Sequence, residues 1–228
     1  MVSQTRSGLK AALGLLIGLG FVLPSPLIGA SDFEKWEKEI TAYEQADRTN
    51  PPPKGGLLFI GSSTIRLWKT LTQDFSQYRV INRGFGGSQI VDSTHFAERI
   101  IIPYAPRMIL LRAGGNDIHA GKSPELVFSD FRAFVAKVHE KLPETQIAYI
   151  ALSPSIARWD EKEKGEALNR MIREYTREIA GLKYIAAESI SLGPDGKPRP
   201  ELFVADKLHF SPAGYKLLAE SVRPHLPK

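Results

Sequence analysis

Beyond residue 30, short apolar runs alternate along the chain with longer stretches that mix apolar and polar residues. The apolar runs have the length of β-strands and lie at 57–60, 78–81, 108–111, 146–152 and 183–187. Strands that are apolar on both faces and separated by helices form parallel sheets with helices on both sides. The pattern therefore predicts an α/β protein with five parallel strands in a three-layer α/β/α arrangement.

Six of the intervening stretches have the spacing of helices, and they lie at 33–48, 64–71, 88–100, 124–141, 161–180 and 212–222. The helix at 124–141 has the clearest start, because Ser123 is a suitable N-cap and Pro124 fits the first turn. The proline-rich and glycine-rich segment 50–56 cannot be helix interior. We interpret it as the connector between the first helix and the first strand.

The first 30 residues follow a different pattern. Arg6 and Lys10 precede the 13-residue apolar stretch 11–23, and small residues lead up to Ala30. This is the layout of a secretory signal peptide, and the stretch is shorter than the roughly 20 residues of a permanent membrane span. We predict cleavage after Ala30 and export to the periplasm or the medium, with an uncleaved membrane anchor as the alternative. The predicted organisation is a signal peptide at 1–30, an N-terminal helix and linker at 31–54, and one domain at 55–228.

Composition narrows the class of protein. With 43% hydrophobic and 24% charged residues in 228, the chain can bury one sizeable core. The absence of cysteine excludes disulfides, thiolate metal sites and cysteine nucleophiles. The net charge is +5, and removing residues 1–30, with two basic and no acidic residues, lowers it to +3. Because bases alternate with acids, as at 34–39, we expect a solvated surface and no nucleic-acid partner.

Glycine and small polar residues gather where the first three predicted strands end, at 61–63, 82–87 and 114–117. Near the C-terminus, Asp206 and His209 lie three residues apart, just before the last helix. Open α/β sheets bind ligands beyond the carboxyl ends of their strands. We therefore expect these segments to meet in one cleft.

The residue types in these segments can build a serine hydrolase site. A serine hydroxyl becomes a nucleophile when a histidine removes its proton and a carboxylate orients that histidine. Asp206 and His209 supply such a pair, and backbone N–H groups at glycine turns together with the Asn116 amide could stabilise an oxyanion. This chemistry alone leaves either Ser62 or Ser63 as the nucleophile.

Taken together, the segments resemble the sequence blocks of the SGNH hydrolases, the GDSL-type esterase and lipase superfamily. The resemblance runs from about residue 55 to the end of the chain. Gly61-Ser62-Ser63 resembles the family's Gly-Asp-Ser, which implies that Ser63 is the nucleophile and that Ser62 stands where the family usually has Asp.

The remaining blocks assign the other roles by the same resemblance. Residues 82–87 match the second block and imply that Gly87 is an oxyanion-hole glycine. Residues 114–117 match the third block and imply that Asn116 is the side-chain donor, beside the N–H of Ser63. Asp206 and His209 match the last block and complete the catalytic triad.

The resemblance implies a flavodoxin-like fold and a serine esterase that needs no cofactor or metal. The expected substrate is a small-molecule or glycan ester, with a short acyl group such as O-acetyl on a carbohydrate. A lysophospholipase or thioesterase of the same fold is the alternative within the family. An α/β-hydrolase is disfavoured, because its Gly-x-Ser-x-Gly elbow would need glycine where Ile65 stands.

Two further functions use the same residues differently. A metal-dependent phosphoesterase could take Asp117, His119, Asp206 and His209 as ligands, and loss of activity in EDTA would favour it. A non-catalytic carbohydrate-binding relative would bind glycans without turnover. Four further residues are candidates for the cleft wall, namely Arg112, His119, Arg158 and Trp159.

Overall fold

A computed structural model describes Met1 and residues 31–227 of the chain. Its central element is a five-stranded parallel sheet with the strand order β2-β1-β3-β4-β5. The strands are β1 (Leu57–Gly61), β2 (Val80–Gly84), β3 (Met108–Arg112), β4 (Gln146–Ile150) and β5 (Leu182–Ile185). This order is that of flavodoxin-like folds, and it confirms the predicted α/β class and the five parallel strands.

Helices connect and cover the strands. They are α1 (Ser31–Glu34), α2 (Glu37–Thr49), α3 (Ser63–Arg66), α4 (Leu71–Asp74), α5 (Ile90–His95), α6 (Ala97–Ile100), α7 (Gly115–His119), α8 (Pro124–Lys141), α9 (Lys162–Glu178) and α10 (Pro212–Val222). Short 3₁₀ turns lie at Ile102–Tyr104, Trp159–Glu161, Pro200–Leu202 and Arg223–His225. The bounds of α8 and α10 agree with the prediction, and the Ser123 hydroxyl caps α8 by accepting from the N–H of Leu126.

Three predicted helices are each divided in two, and an aromatic side chain that packs on the core lies at every division. Trp36 separates α1 from α2, Trp68 lies between α3 and α4, and Phe96 separates α5 from α6. The buried Trp68 also donates from Nε1 to Asp74 Oδ2 at 2.7 Å. At each of these positions the helix ends where the ring packs on the core, a contact that spacing along the sequence does not reveal.

The boundaries of β2 also differ from the prediction of 78–81. The strand continues to Gly84 through Arg83, which is buried although it is charged. Arg83 Nη2 lies 2.5 Å from Asp47 Oδ1 of α2, and Nε donates to the Tyr104 hydroxyl at 2.9 Å. Because Asp47 of α2 supplies a counterion, β2 can include Arg83, which lies beyond the apolar run that predicted the strand.

The sheet separates two apolar clusters, one on each face. Alternate strand residues such as Leu58 and Ile109 face the layer that contains α5, α8 and α9. Their neighbours, such as Phe59 and Leu110, face α3 and α10. Ile40 of α2 is fully buried in the first cluster, so the helix of the segment 31–54 packs on the core.

Within residues 31–227, no helix is both long and apolar enough to cross a membrane. The predicted signal peptide at 1–30 falls outside the described residues, apart from Met1. Its cleavage after Ala30 stays a prediction.

Candidate active site

The turn after β1 presents Ser63 beyond the carboxyl end of the sheet. Gly61 ends the strand with φ +136, where a Cβ would come within 2.0 Å of the Arg112 carbonyl oxygen on β3, so only glycine fits. The N–H of Ser62 then donates to the same carbonyl at 3.2 Å. Ser63 is the first residue of α3, so its N–H has no acceptor within the helix. The turn after β1 therefore presents both a backbone donor and a hydroxyl of the same residue, Ser63.

Two further bonds hold α3 in place. Asn82 of β2 donates from Nδ2 to the Ile65 carbonyl at 2.8 Å, while its Oδ1 accepts from the N–H of Gly84 at 2.9 Å. From the other side, the Tyr215 hydroxyl of α10 donates to the Thr64 carbonyl at 2.9 Å. The short helix that carries Ser63 is therefore attached to both the sheet and the C-terminal helix.

The structure brings His209 to Ser63 and Asp206 to His209. His209 Nε2 lies 2.9 Å from the Ser63 Oγ, and His209 Nδ1 lies 2.6 Å from Asp206 Oδ2. Asp206 Oδ1 accepts from the N–H groups of Leu208 and His209, each at 2.9 Å. The hydrogen bonds from the His209 ring and backbone lower the pKa of Asp206 to about 2, so the carboxylate is ionised near neutral pH. This geometry joins His209 to Ser63 and not to Ser62.

The third polar segment begins with Gly114, whose φ of +111 turns the chain from β3 into α7. Asn116 then lies in the first turn of α7. Its Nδ2 donates to the Ser88 carbonyl at 3.0 Å, and its Oδ1 accepts from Arg158 Nη1 at 3.0 Å. These two bonds determine which end of the amide is the donor, and one N–H of Nδ2 remains for another acceptor.

Ser62, Ser63, Asn116 and His209 line one cavity with a volume of about 120 Å³, which we call the cleft. The rest of its wall includes Arg112 at the end of β3, the loop after β4 and the start of α9, with Arg158, Glu161, Lys162 and Glu166. Gly87 has φ +83 and directly precedes Ser88, but it does not line the cleft. Its predicted oxyanion role stays a prediction.

Of the other candidates for the cleft wall, His119 and Trp159 lie outside the cleft lining and Arg158 lies within it. His119 is outside the cleft lining, and its Nδ1 lies 2.5 Å from Glu161 Oε1. Trp159 is also outside the lining, with Lys162 Nζ 5.5 Å from its ring centroid. Arg158 does line the cleft, as expected, but its bond to Asn116 was not foreseen because sequence spacing does not show which loop reaches across to α7.

Asp117 is fully buried next to Asn116. Its Oδ1 accepts from the N–H of Ile90 at 3.2 Å and from Lys122 Nζ at 3.3 Å, and burial raises its pKa to about 6. Asp117 and His209, two of the four residues considered as metal ligands, thus contact different partners. Asp117 accepts from Lys122, and the His209 ring contacts the Ser63 hydroxyl. Within the described residues, no group of three or more His, Asp or Glu side chains is arranged to hold a metal ion.

Comparison with models of known protein families shows which family the chain belongs to. The model of the GDSL-like lipase/acylhydrolase family matches residues 60–217, a span that includes every segment of the cleft described above. The chain belongs to the GDSL-like lipase/acylhydrolase family. As a GDSL-like hydrolase, it is an enzyme that hydrolyses carboxylic esters. A search of curated protein sequences found no match.

Solved structures share the fold of this GDSL-like hydrolase. A Streptococcus pneumonia protein whose description names platelet activating factor has a TM-score of 0.75 at 21% identity, covering 86% of this chain and 95% of its own. A GDSL-like lipase from Bacteroides thetaiotaomicron has a TM-score of 0.70 at 16% identity, covering 82% and 96%. An acetyl-xylooligosaccharide esterase from Geobacillus has a TM-score of 0.61 at 16% identity, covering 78% and 97%. At these identities the likeness shows the fold alone.

Proposed function

We propose that this protein is an exported serine esterase that removes short acyl groups, such as O-acetyl groups on carbohydrates, through an acyl-serine intermediate. The observation that carries the proposal is the chain of contacts Ser63 Oγ to His209 Nε2 at 2.9 Å and His209 Nδ1 to Asp206 Oδ2 at 2.6 Å. Both distances are those of hydrogen bonds between a nucleophile, a base and the group that orients it.

In the proposed reaction, Ser63 Oγ attacks the ester carbonyl carbon while His209 Nε2 takes the hydroxyl proton. The N–H groups of Ser63 and Gly87 and the free N–H of Asn116 stabilise the oxyanion. The alcohol leaves with the proton held by His209, and the acyl group stays on Ser63. A water molecule, deprotonated by His209, then releases the carboxylic acid and restores the serine.

The size of the cleft supports a short acyl group. Its volume of about 120 Å³ is below the roughly 300 to 1,000 Å³ of pockets that enclose drug-sized ligands. An acetyl or similar group fits such a volume, whereas a fatty chain needs more apolar space. The carbohydrate part of the proposal rests on the name of the Geobacillus esterase and on charged and polar groups along the cleft wall.

A chain-length series tests the proposal. The protein without residues 1–30 is assayed on p-nitrophenyl esters from acetate to laurate, with Ser63→Ala and Ser62→Ala as the matched pair. We expect the highest kcat/KM on acetate or propionate, and turnover that needs Ser63 and not Ser62. A maximum at long chains favours the lipase alternative, and activity lost in EDTA and restored by a divalent metal favours the phosphoesterase.

The export part has its own test. Expression of the full chain in a bacterium, fractionation and N-terminal sequencing identify the compartment and the first residue. We expect a protein that starts at Ser31 outside the cytoplasm. A membrane-bound chain that still starts at Met1 contradicts cleavage.

A further inference from the structure

The charged groups of the cleft are paired unequally. Its two acids each contact a base, with Glu161 Oε1 2.5 Å from His119 Nδ1 and Glu166 Oε1 2.9 Å from Lys162 Nζ. Its two arginines, Arg112 and Arg158, form no ion pair with any carboxylate within residues 31–227. Within the described residues, neither guanidinium group of the cleft therefore has a carboxylate in ion-pair contact.

Arg112 is the more unusual of the two because it is only 5% exposed. Arginine is rarely buried without a charged partner, since removing a cation from water is costly. Its protein acceptors within the described residues are the Ala151 carbonyl and the Ser153 hydroxyl, bonded to Nη1 and Nη2. A guanidinium has five N–H groups, so these two contacts leave donors unused, and Arg112 lines the cavity that Ser63 and His209 also line.

The location of Arg112 follows from the sheet. It ends β3, pairs with Gly61 of β1 in register, and its carbonyl accepts the N–H of Ser62. Its guanidinium carbon lies 5.7 Å from the ring centroid of Phe210, the residue after His209. The cation thus lies beside both segments that carry the candidate nucleophile and base. Burial also lowers the pKa of Arg112 to about 10, which still leaves it charged at neutral pH.

Arg158 contributes a second cation at the same cavity. Among the residues that the structure describes, its acceptors are both bonded to Nη1, namely the Asn116 side-chain oxygen at 3.0 Å and the Gly115 carbonyl at 3.2 Å. Two cations that line one small cavity attract anions and disfavour cationic groups. A planar guanidinium binds a carboxylate with two parallel hydrogen bonds.

We propose that the cleft selects esters that carry a carboxylate close to the scissile bond, with Arg112 as its principal partner and Arg158 as the second. The inference rests on the proposed function, because it assigns a substrate class to the same site. The carboxylate belongs either to the acyl group or to the alcohol, and both arrangements use the same contact.

Two matched pairs of substrates test the inference on the protein without residues 1–30. On the acyl side, monoethyl succinate is compared with ethyl succinamate, which replaces the carboxylate by a neutral amide of the same shape. On the alcohol side, acetoxyacetate is compared with acetoxyacetamide. The readout is the ratio of kcat/KM between acid and amide in each pair. A general loss of activity or of folded protein does not change this ratio.

We expect the wild type to prefer the acid by roughly 10- to 100-fold in at least one pair, as for a hydrogen bond to a charged group. The pair with the larger ratio identifies the side that carries the carboxylate. Arg112→Met should remove most of that preference, Arg158→Gln should remove a smaller part of it, and Arg170→Gln, which removes an exposed arginine of α9, should leave it unchanged.

The outcomes separate this inference from the proposed function. Hydrolysis of the amides with an acid-to-amide ratio near one overturns the inference and leaves the serine esterase intact. If Arg112→Met does not fold, the wild-type ratio and that of Arg158→Gln still decide. If Ser63→Ala retains full turnover, the proposed function fails, whereas a preference abolished by Arg112→Met would still place the carboxylate at this cavity.

Discussion

Two groups of buried charge in this molecule are built differently. At the contact of α2 with the sheet, which we call the α2 seam, Arg83 is bonded to Asp47 and Tyr104 and lies with its guanidinium carbon 4.7 and 4.8 Å from the ring centroids of Tyr43 and Tyr104. In the cleft, Arg112 is as buried as Arg83 but is bonded to no carboxylate of residues 31–227.

The difference indicates that the polar groups of the α2 seam stabilise the fold, whereas those of the cleft are available for a substrate. In the α2 seam, Arg83 is paired with Asp47 and Tyr104, and these bonds attach α2 to the sheet. In the cleft, donors of Ser63, Asn116 and Arg112 are left free at one cavity, where a substrate can use them. We therefore expect changes in the cleft to reduce turnover more than stability, and changes in the α2 seam to do the reverse.

The largest effect is expected for Ser63→Ala. Removing the nucleophile should lower kcat by about 10⁶-fold, as in serine proteases, while the free energy of unfolding stays within about 1 kcal/mol. Steady-state kinetics and urea denaturation of the same preparation check both parts. Ser62→Ala is the matched control and should keep most of the activity. Labelling of the Ser63→Ala protein by a fluorophosphonate would show that the nucleophile is another residue.

Asp206→Asn should have the next largest effect. The amide leaves His209 in place but favours the wrong tautomer, so kcat should fall by up to about 10⁴-fold. Because the pKa of Asp206 is about 2, lowering the pH from 7 to 4 should not by itself protonate this carboxylate. Assays with added Zn²⁺ or Mn²⁺ provide the check, since rescue of the variant by metal contradicts the serine mechanism.

Asn116→Ala should lower kcat by roughly 10²- to 10³-fold with little change in KM, the usual loss for one oxyanion donor. Asn116→Asp is a useful companion, because it keeps the size and the bond to Arg158 but replaces the donor with a negative charge. It should be at least as inactive as the alanine variant. Near-normal kcat in Asn116→Ala would indicate that the amide only supports the turn.

Asp47→Asn tests the opposite side of the comparison. It leaves Arg83 buried without a counterion, so the free energy of unfolding should fall by about 3 kcal/mol, while kcat stays within about twofold. Thermal and urea denaturation measure the loss. Glu39→Gln, which removes a longer and more exposed pair with Arg66, is the control and should cost little. A drop in kcat with unchanged stability would show that the α2 seam affects the cleft.

Asp117→Asn has the smallest expected effect, which appears only in how stability depends on pH. It tests the comparison because Asp117 is next to Asn116 in the sequence but does not line the cleft. Burial raises its pKa to about 6, above the value of about 4 in an unfolded chain, so ionisation costs more in the folded state. Wild-type stability should decrease as the pH rises from about 4 to 6, by at most about 3 kcal/mol, and the variant should lack this decrease. Denaturation at several pH values checks it, with Asp160→Asn, a change at an exposed residue, as the control.

Much of the fold could be predicted because it rests on local patterns. The strands β1 and β3 are buried at every residue, and Ser123 and Pro124 indicate the start of α8 without help from distant residues. The breaks at Trp36, Trp68 and Phe96 could not be predicted, since each depends on which core the ring fills. The continuation of β2 through Arg83 likewise depends on Asp47, which is 36 residues away.

The candidate site shows the same division. Family blocks point to Ser63, Gly87, Asn116, Asp206 and His209. The structure places Ser63, Asn116 and His209 on one cleft and Asp206 against His209, whereas Gly87 does not line the cleft. The contacts of Arg112 with Ser153 and of Arg158 with Asn116 join segments that carry no shared pattern. Only the folded arrangement of the loop after β4 reveals them.

The bond between Ser63 and His209 joins residues 146 positions apart. All five strands lie before His209, so a chain that ends before it contains the whole sheet but no base for the serine. During synthesis, domains can begin to fold before the last residues are made, and contacts of high sequence separation form late. Ester hydrolysis should therefore appear only when the C-terminal segment has folded. A nascent chain should gain turnover only after α10 has emerged from the ribosome and packed on the sheet.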